Sequence, residues 1–123
     1  MKACGNTLYM VRGDADSFVV ELQTEISPGE YVPYIPEEGS TLSFALKHDV
    51  MKRGADGYME FKDNTPLVLK TIPIDTMQCK LEPADTEGLG FGQYAYDIRL
   101  TLPNGEPHTC VKDATFYLWR EVH

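Results

Sequence analysis

Few residues in this chain stand at spacings that support chemistry. Cys4, Cys79 and Cys110 are widely spread with no CxxC pair, so neither a zinc ribbon nor a dithiol redox motif is written here. They read as small buried or half-buried thiols in a reducing compartment. His48, His108 and His123 lie far apart, and none sits at a metal-ligand spacing such as HxxxH. Asp14 and Asp16 superficially open a calcium loop, but Phe18 and Val19 stand where further ligands and a turn glycine would be needed. They read as solvated turn acids. Gly88-Leu89-Gly90-Phe91-Gly92 is glycine-rich, yet it precedes a strand, whereas a phosphate cradle follows a strand and opens a helix. There is no GxSxG elbow, no HExxH and no cysteine set beside a histidine. The 19 acidic residues include no pair singled out for glycoside hydrolysis. The expectation is a non-enzymatic chain with no metal and no cofactor.

Recognition chemistry is better represented. In Thr109 to Arg120, Phe116 and Leu118 share one face and Tyr117 and Trp119 share the other. If the first pair is core, Tyr117 and the single tryptophan point outward. Tyr31 and Tyr34, in a proline-rich loop, add to the candidate exposed set. Exposed aromatics mark protein interfaces and sugar-binding platforms. Tyr117, Trp119, Tyr31 and Tyr34 are therefore the candidate interface residues. Arg12-Gly13-Asp14 spells a cell-adhesion tripeptide, but Gly and Asp are also what a tight turn wants, and the turn is the better reading.

The elements that must position these residues are strands. Gln93 to Leu102 places Tyr94, Tyr96, Ile98, Leu100 and Leu102 on one face and Ala95, Asp97, Arg99 and Thr101 on the other. A half-buried antiparallel strand needs this alternation. Ser17 to Gln23 turns Phe18, Val20 and Leu22 to one side. Thr41 to Lys47 turns Leu42, Phe44 and Leu46 inward and Ser43, Ala45 and Lys47 outward. Weaker strand candidates are Thr7 to Arg12, Leu67 to Ile72, Met77 to Glu82 and Thr109 to Arg120. Turn chemistry separates them: Gly13-Asp14, Ser27-Pro28-Gly29, Pro33 to Gly39, and Asn104-Gly105, a strong hairpin signal. Pro83-Ala84-Asp85-Thr86 is the best short helical turn. His48 to Pro66 reads as a long hairpin loop with a short strand at Tyr58 to Lys62. The pattern predicts one all-β domain over 1–123, of about seven strands forming a sandwich or a small barrel.

With 123 residues, the chain is long enough to bury a core without disulfide or metal. Eleven basic against 19 acidic residues give a net charge of −8. Such a balance argues against nucleic acid or an anionic membrane as partner. The N-terminal residues contain no apolar run of signal-peptide length, and no stretch approaches a membrane span, so a cytoplasmic product is expected.

The order of several pieces carries a resemblance. Leu81-Glu82-Pro83-Ala84-Asp85-Thr86, Leu89, Gly92-Gln93-Tyr94-Ala95-Tyr96-Asp97-Ile98-Arg99-Leu100, Asn104-Gly105, Thr115-Phe116 and Glu121-Val122 are similar to small β-sandwich domains of tailed-phage and prophage structural proteins. The named relative is the N-terminal domain of phage baseplate upper proteins. Arg12-Gly13-Asp14 before Phe18-Val19-Val20-Glu21-Leu22, Thr41 to Lys47 and Leu67 to Ile72 resemble that family's earlier strands. The resemblance implies an Ig-like antiparallel β-sandwich and a tail or baseplate component working by protein–protein assembly. It implies no catalytic residues. Expected partners are other phage structural proteins or a second copy of the chain, reached after synthesis in the host bacterial cytoplasm and carried into the virion. The alternative is a small carbohydrate-binding module using exposed Trp and Tyr. A small acid–base enzyme is the third reading, and its sign would be a deep pocket holding two carboxylates with raised pKa values.

Overall fold

A computed structural model describes residues 2–3, 7–53, 57–58 and 60–120. Cys4, His123, Glu121 and Val122 lie outside these residues. The chain runs β1 (Lys2–Ala3), β2 (Leu8–Val11), β3 (Asp16–Val19), β4 (Leu22–Ser27), β5 (Glu30–Pro33), β6 (Thr41–His48), β7 (Met51–Arg53), β8 (Glu60–Lys62), β9 (Pro66–Ile72), β10 (Gln78–Leu81), α1 (Pro83–Thr86), β11 (Gly92–Thr101) and β12 (Pro107–Trp119). The fold is all-β, as the alternation predicts.

A curled five-stranded sheet in the order β2-β12-β11-β6-β9 dominates. Its inner face carries the apolar set expected from sequence: Leu42, Phe44, Leu46, Tyr96, Ile98, Leu100, Phe116 and Leu118 are all buried. The β3–β10 ladder contributes Phe18, Cys79 and Leu81 to the same core. Phe44 is the hub. Its ring centroid lies 5.5 Å from Phe18, 5.6 Å from Tyr96 and 6.4 Å from Phe116. These are favourable separations for edge-to-face and tilted rings, so the contacts add to the burial of apolar area.

Several expectations change in detail. Ser17 to Gln23 is two strands rather than one, because the chain changes partners midway. Val20 N–H donates to Met77 O at 2.7 Å, and Leu22 then pairs with Ala3. The alternation survives the switch, since Val20 and Leu22 both remain core. The region around Tyr31 is a strand, not a loop: β4 and β5 form a hairpin over Pro28-Gly29, with Gly29 at φ 78°. In the hairpin loop predicted from His48 to Pro66, β8 falls within the short strand expected at Tyr58 to Lys62, and β7 is the added partner, with Lys52 paired to Phe61. Most pairs are antiparallel, but β2 runs parallel to β12.

Two local predictions hold closely. Pro83–Thr86 is a single helical turn, with the Asp85 carboxylate accepting Glu82 N–H at 2.7 Å. Asn104-Gly105 closes the β11–β12 hairpin. Gly105 sits at φ 88°, where a side chain would strain the backbone, and the Asn104 side-chain oxygen accepts Glu106 N–H.

Candidate interaction face

The outer face of the five-stranded sheet has an aromatic end and a polar end. Residues opposite Phe116 and Leu118 must point away from the core, so β12 presents Tyr117 and Trp119 there. The parallel partner β2 alternates the same way. Met10 is buried, and Tyr9 is 58% exposed. In-register pairing sets Tyr9 directly across from Tyr117. Their rings stack with centroids 5.3 Å apart and an interplanar angle of 15°. Tyr9 also meets Trp119, 55% exposed, at 6.0 Å. These three rings form one continuous stripe along the β2 edge of the sheet.

The stripe is anchored by the turn that follows β2. Arg12 N–H donates to Trp119 O at 3.1 Å, and the Arg12 guanidinium donates to Leu89 O at 3.2 Å. The same guanidinium lies 4.2 Å from the centroid of the exposed Phe91 ring, and Arg120 lies 5.5 Å from that centroid. Both distances suit cation–π attraction. Gly13 N–H donates to Thr86 Oγ1 at 3.0 Å. Arg12-Gly13-Asp14 is thus pinned to the α1 region and does not present Arg12 as a free tip, in line with the turn reading.

The other two candidate tyrosines sit elsewhere. Tyr31 is on β5, in the separate β1-β4-β5 sheet. Tyr34 is half-buried and packs against the core, with its N–H donating to Leu22 O at 2.9 Å. The structure brings Tyr117 and Trp119 together and leaves Tyr31 and Tyr34 apart from them. Sequence reasoning missed Tyr9 and Phe91. The alternation of Leu8, Tyr9 and Met10 was the available signal for Tyr9. Its placement across from Tyr117 needed the parallel pairing.

At the polar end Lys47 changes role. Read as an outward, wet residue, it is 1% exposed. Its Nζ donates to Asn64 Oδ1 at 2.7 Å and to Asp97 Oδ2 at 2.9 Å, and it pairs with the carboxylate of Asp113. A β-bulge builds the site. Between the pairs Tyr96–Ala114 and Ile98–Val111, Asp97 faces both Lys112 and Asp113. Asp113 takes φ 55°, an uncommon conformation for a residue with a side chain. Its N–H donates to Asp97 Oδ1 at 2.8 Å, which turns the other oxygen of Asp97 toward Lys47. Burial alone would push the Lys47 ammonium down. The hydrogen bonds that Lys47 donates to Asp113 and Asp97, with the charges of those carboxylates, outweigh burial and hold its pKa above the usual lysine value. Asn64 and Asp97 also line a shallow cleft of about 260 Å³, shared with Ser43, Arg99, Thr109 and Lys112.

Among the described residues, no group of three or more His, Cys, Asp or Glu could hold a metal ion. No helix among them is long and apolar enough to cross a membrane. Cys79 is buried and Cys110 half-buried, and both carry free thiols. No family model, no curated protein and no solved structure matches the chain.

Proposed function

We propose that this chain is a non-enzymatic assembly protein that docks through the aromatic stripe of its outer sheet face. The observation that carries this reading is the outward aromatic stripe on an edge of the five-stranded sheet, in which exposed Tyr9 and Trp119 flank the half-buried Tyr117. Aromatic side chains are enriched at interface cores, where they bury much area at low entropic cost. An edge strand also offers unpaired backbone groups to a partner.

The finer fold we propose is an Ig-like sandwich with a seven-stranded core. Strands β12, β11, β6 and β9 follow the order expected of the larger Ig sheet, and β3 and β10 supply the facing ladder. Strand β2 completes the seven. Tyr94, near the start of β11, donates its hydroxyl hydrogen bond to Gly90 O at 2.7 Å, which is similar to the tyrosine corner of such domains. Together with the resemblance to phage baseplate domains, this supports a phage or prophage structural component. Its partners would be other structural proteins or a second copy, met in the host cytoplasm and retained in the virion. Solution mass with and without Trp119→Ala is the test, read beside the genes that flank this one. A strictly monomeric protein that keeps Trp119 open to a fluorescence quencher, with no tail genes beside its own, would overturn it.

The exposed ring of Trp119 also favours the carbohydrate-binding alternative. Tyr9 and Tyr117 turn one face each toward the other, which leaves less open platform for a sugar ring than for a protein side chain. Glycan-dependent change in Trp119 fluorescence would shift the assignment to that reading.

A further inference from the structure

The cluster around Lys47 has the parts of an acyl-transfer site. A primary amine, a carboxamide and two carboxylates converge where the amine is almost fully excluded from water. An amine attacks such a carbonyl when it can lose a proton and is held in place beforehand. Positioning has a structural counterpart here, and although the two carboxylates hold Lys47 charged at rest, Asp97 lies 2.9 Å away as the acceptor for the proton that must leave. We propose that Lys47 and Asn64 join in an intramolecular isopeptide bond, formed by the folded chain itself.

Positioning comes from both sides. Lys47 is fixed by β6, which pairs with β11 and β9. Asn64 lies just before Pro66, the register partner of Lys47 on β9. The turn carrying it is held by Asp63 N–H donating to Val50 O and by Thr65 N–H donating to Asp63 Oδ1, each at 3.0 Å. With Nζ 2.7 Å from Asn64 Oδ1, the amine lies against the carboxamide. The carboxamide carbon is one bond beyond that oxygen, and attack requires it to come within roughly 3–3.5 Å of the amine.

The step balances without an oxidant or added reactant. The Lys47 ammonium gives one proton to Asp97, whose Oδ2 lies 2.9 Å away. The amine lone pair attacks Asn64 Cγ, and the Nζ–Cγ bond forms. The Cγ–Nδ2 bond breaks, Nδ2 takes up the second proton lost by Nζ, and ammonia leaves. It carries off the proton held on Asp97 as ammonium, through the cleft that Asn64 and Asp97 line. The carboxylates end as they began, as a proton relay does. The product ties the end of β6 to the start of β9 and closes the base of the excursion that carries β7 and β8.

The intact mass of the purified full chain tests this. The expected result is the sequence mass less one ammonia. Digestion should give a branched peptide joining the segments of Lys47 and Asn64, with no tryptic cleavage after Lys47. Lys47→Arg and Asn64→Ala should each restore the full mass. A succinimide at Asn64 would also lose ammonia, but it would persist in Lys47→Arg and yield only linear peptides, and that result overturns the proposal. A wild-type chain that keeps its full sequence mass after prolonged incubation in the folded state overturns it too. The wild-type mass and branched peptide decide even if a variant folds poorly.

Discussion

Tyr9 and Tyr117 face each other across the only parallel strand pair among the described residues, with ring centroids 5.3 Å apart. One residue belongs to the start of the chain and the other to its end. Their stacking joins the β2 edge to β12 and turns two isolated tyrosines into a surface that includes Trp119. Three aromatic rings are thereby gathered on the outer face of the five-stranded sheet.

Truncating the stripe should separate binding from folding. Trp119→Ala and Tyr9→Ala are expected to change stability by about 0.5–1 kcal/mol, as partly exposed sites do. The same changes should weaken self-association or partner binding by roughly 2 kcal/mol or more, as interface aromatics do. Urea melts and analytical ultracentrifugation on the same samples measure the two effects.

Phe44→Ala should behave in the opposite way. Phe44 is fully buried and touches three other rings. Its loss should cost about 3–5 kcal/mol through lost transfer energy and a cavity. The urea midpoint should fall while the slope stays close to wild type.

The polar cluster can be dissected in an Asn64→Ala background, where the Lys47 amine stays free. Adding Asp97→Ala leaves a buried ammonium with one fewer carboxylate. Asp97 is itself 24% exposed, so the expected cost is about 2 kcal/mol, below that of a fully buried pair. Adding Lys47→Met should deepen the loss, because Lys47 in the Asp97→Ala protein still pairs with Asp113, and its removal strands that carboxylate. Thermal or urea unfolding of the series measures it.

Lys70 provides a pH-dependent contribution. The hydrogen bond to Asp85, at 2.8 Å, raises the Lys70 pKa above the usual 10.5 despite the opposing effect of burial. A group whose pKa is raised on folding stabilises fully below its unfolded value and loses that contribution as pH climbs through the folded one. The stability gap between wild type and Lys70→Met should stay constant from neutral pH up to 10.5 and shrink above it. Urea melts across the alkaline range would show a pH-independent gap if the pair contributes nothing.

Cys79 should be chemically silent in the folded protein. Burial pushes its thiol pKa up to about 12, so almost no thiolate forms near neutrality. Iodoacetamide followed by peptide mass mapping should find Cys79 unmodified in native protein and modified in denaturant. Rapid alkylation of native Cys79 would mean that the β3–β10 ladder opens readily.

Much of the fold was legible because it rests on local rules. Alternation placed Leu42, Phe44 and Leu46 inside, set Phe116 and Leu118 against Tyr117 and Trp119, and marked Asn104-Gly105 as a hairpin. Pro83 announced the single helical turn. Lys47 was misplaced for an equally physical reason. Period two says only that it faces away from the core, and the bulge at Asp113 then closes polar groups over that side. Ser17 to Gln23 was divided by a change of partner strand, which leaves its periodicity intact.

The sequence by itself determined an acidic all-β chain, the inward and outward sets of its main strands, and the outward placement of Trp119. These follow from side-chain alternation and turn preference, which act between near neighbours in the chain. Only the tertiary structure decided that Tyr9 joins Tyr117, that Tyr34 packs against the core, and that Lys47, Asn64, Asp97 and Asp113 converge. These contacts depend on which strands become neighbours and on a bulge within one of them, and such long-range pairings are selected by the packing of the whole core.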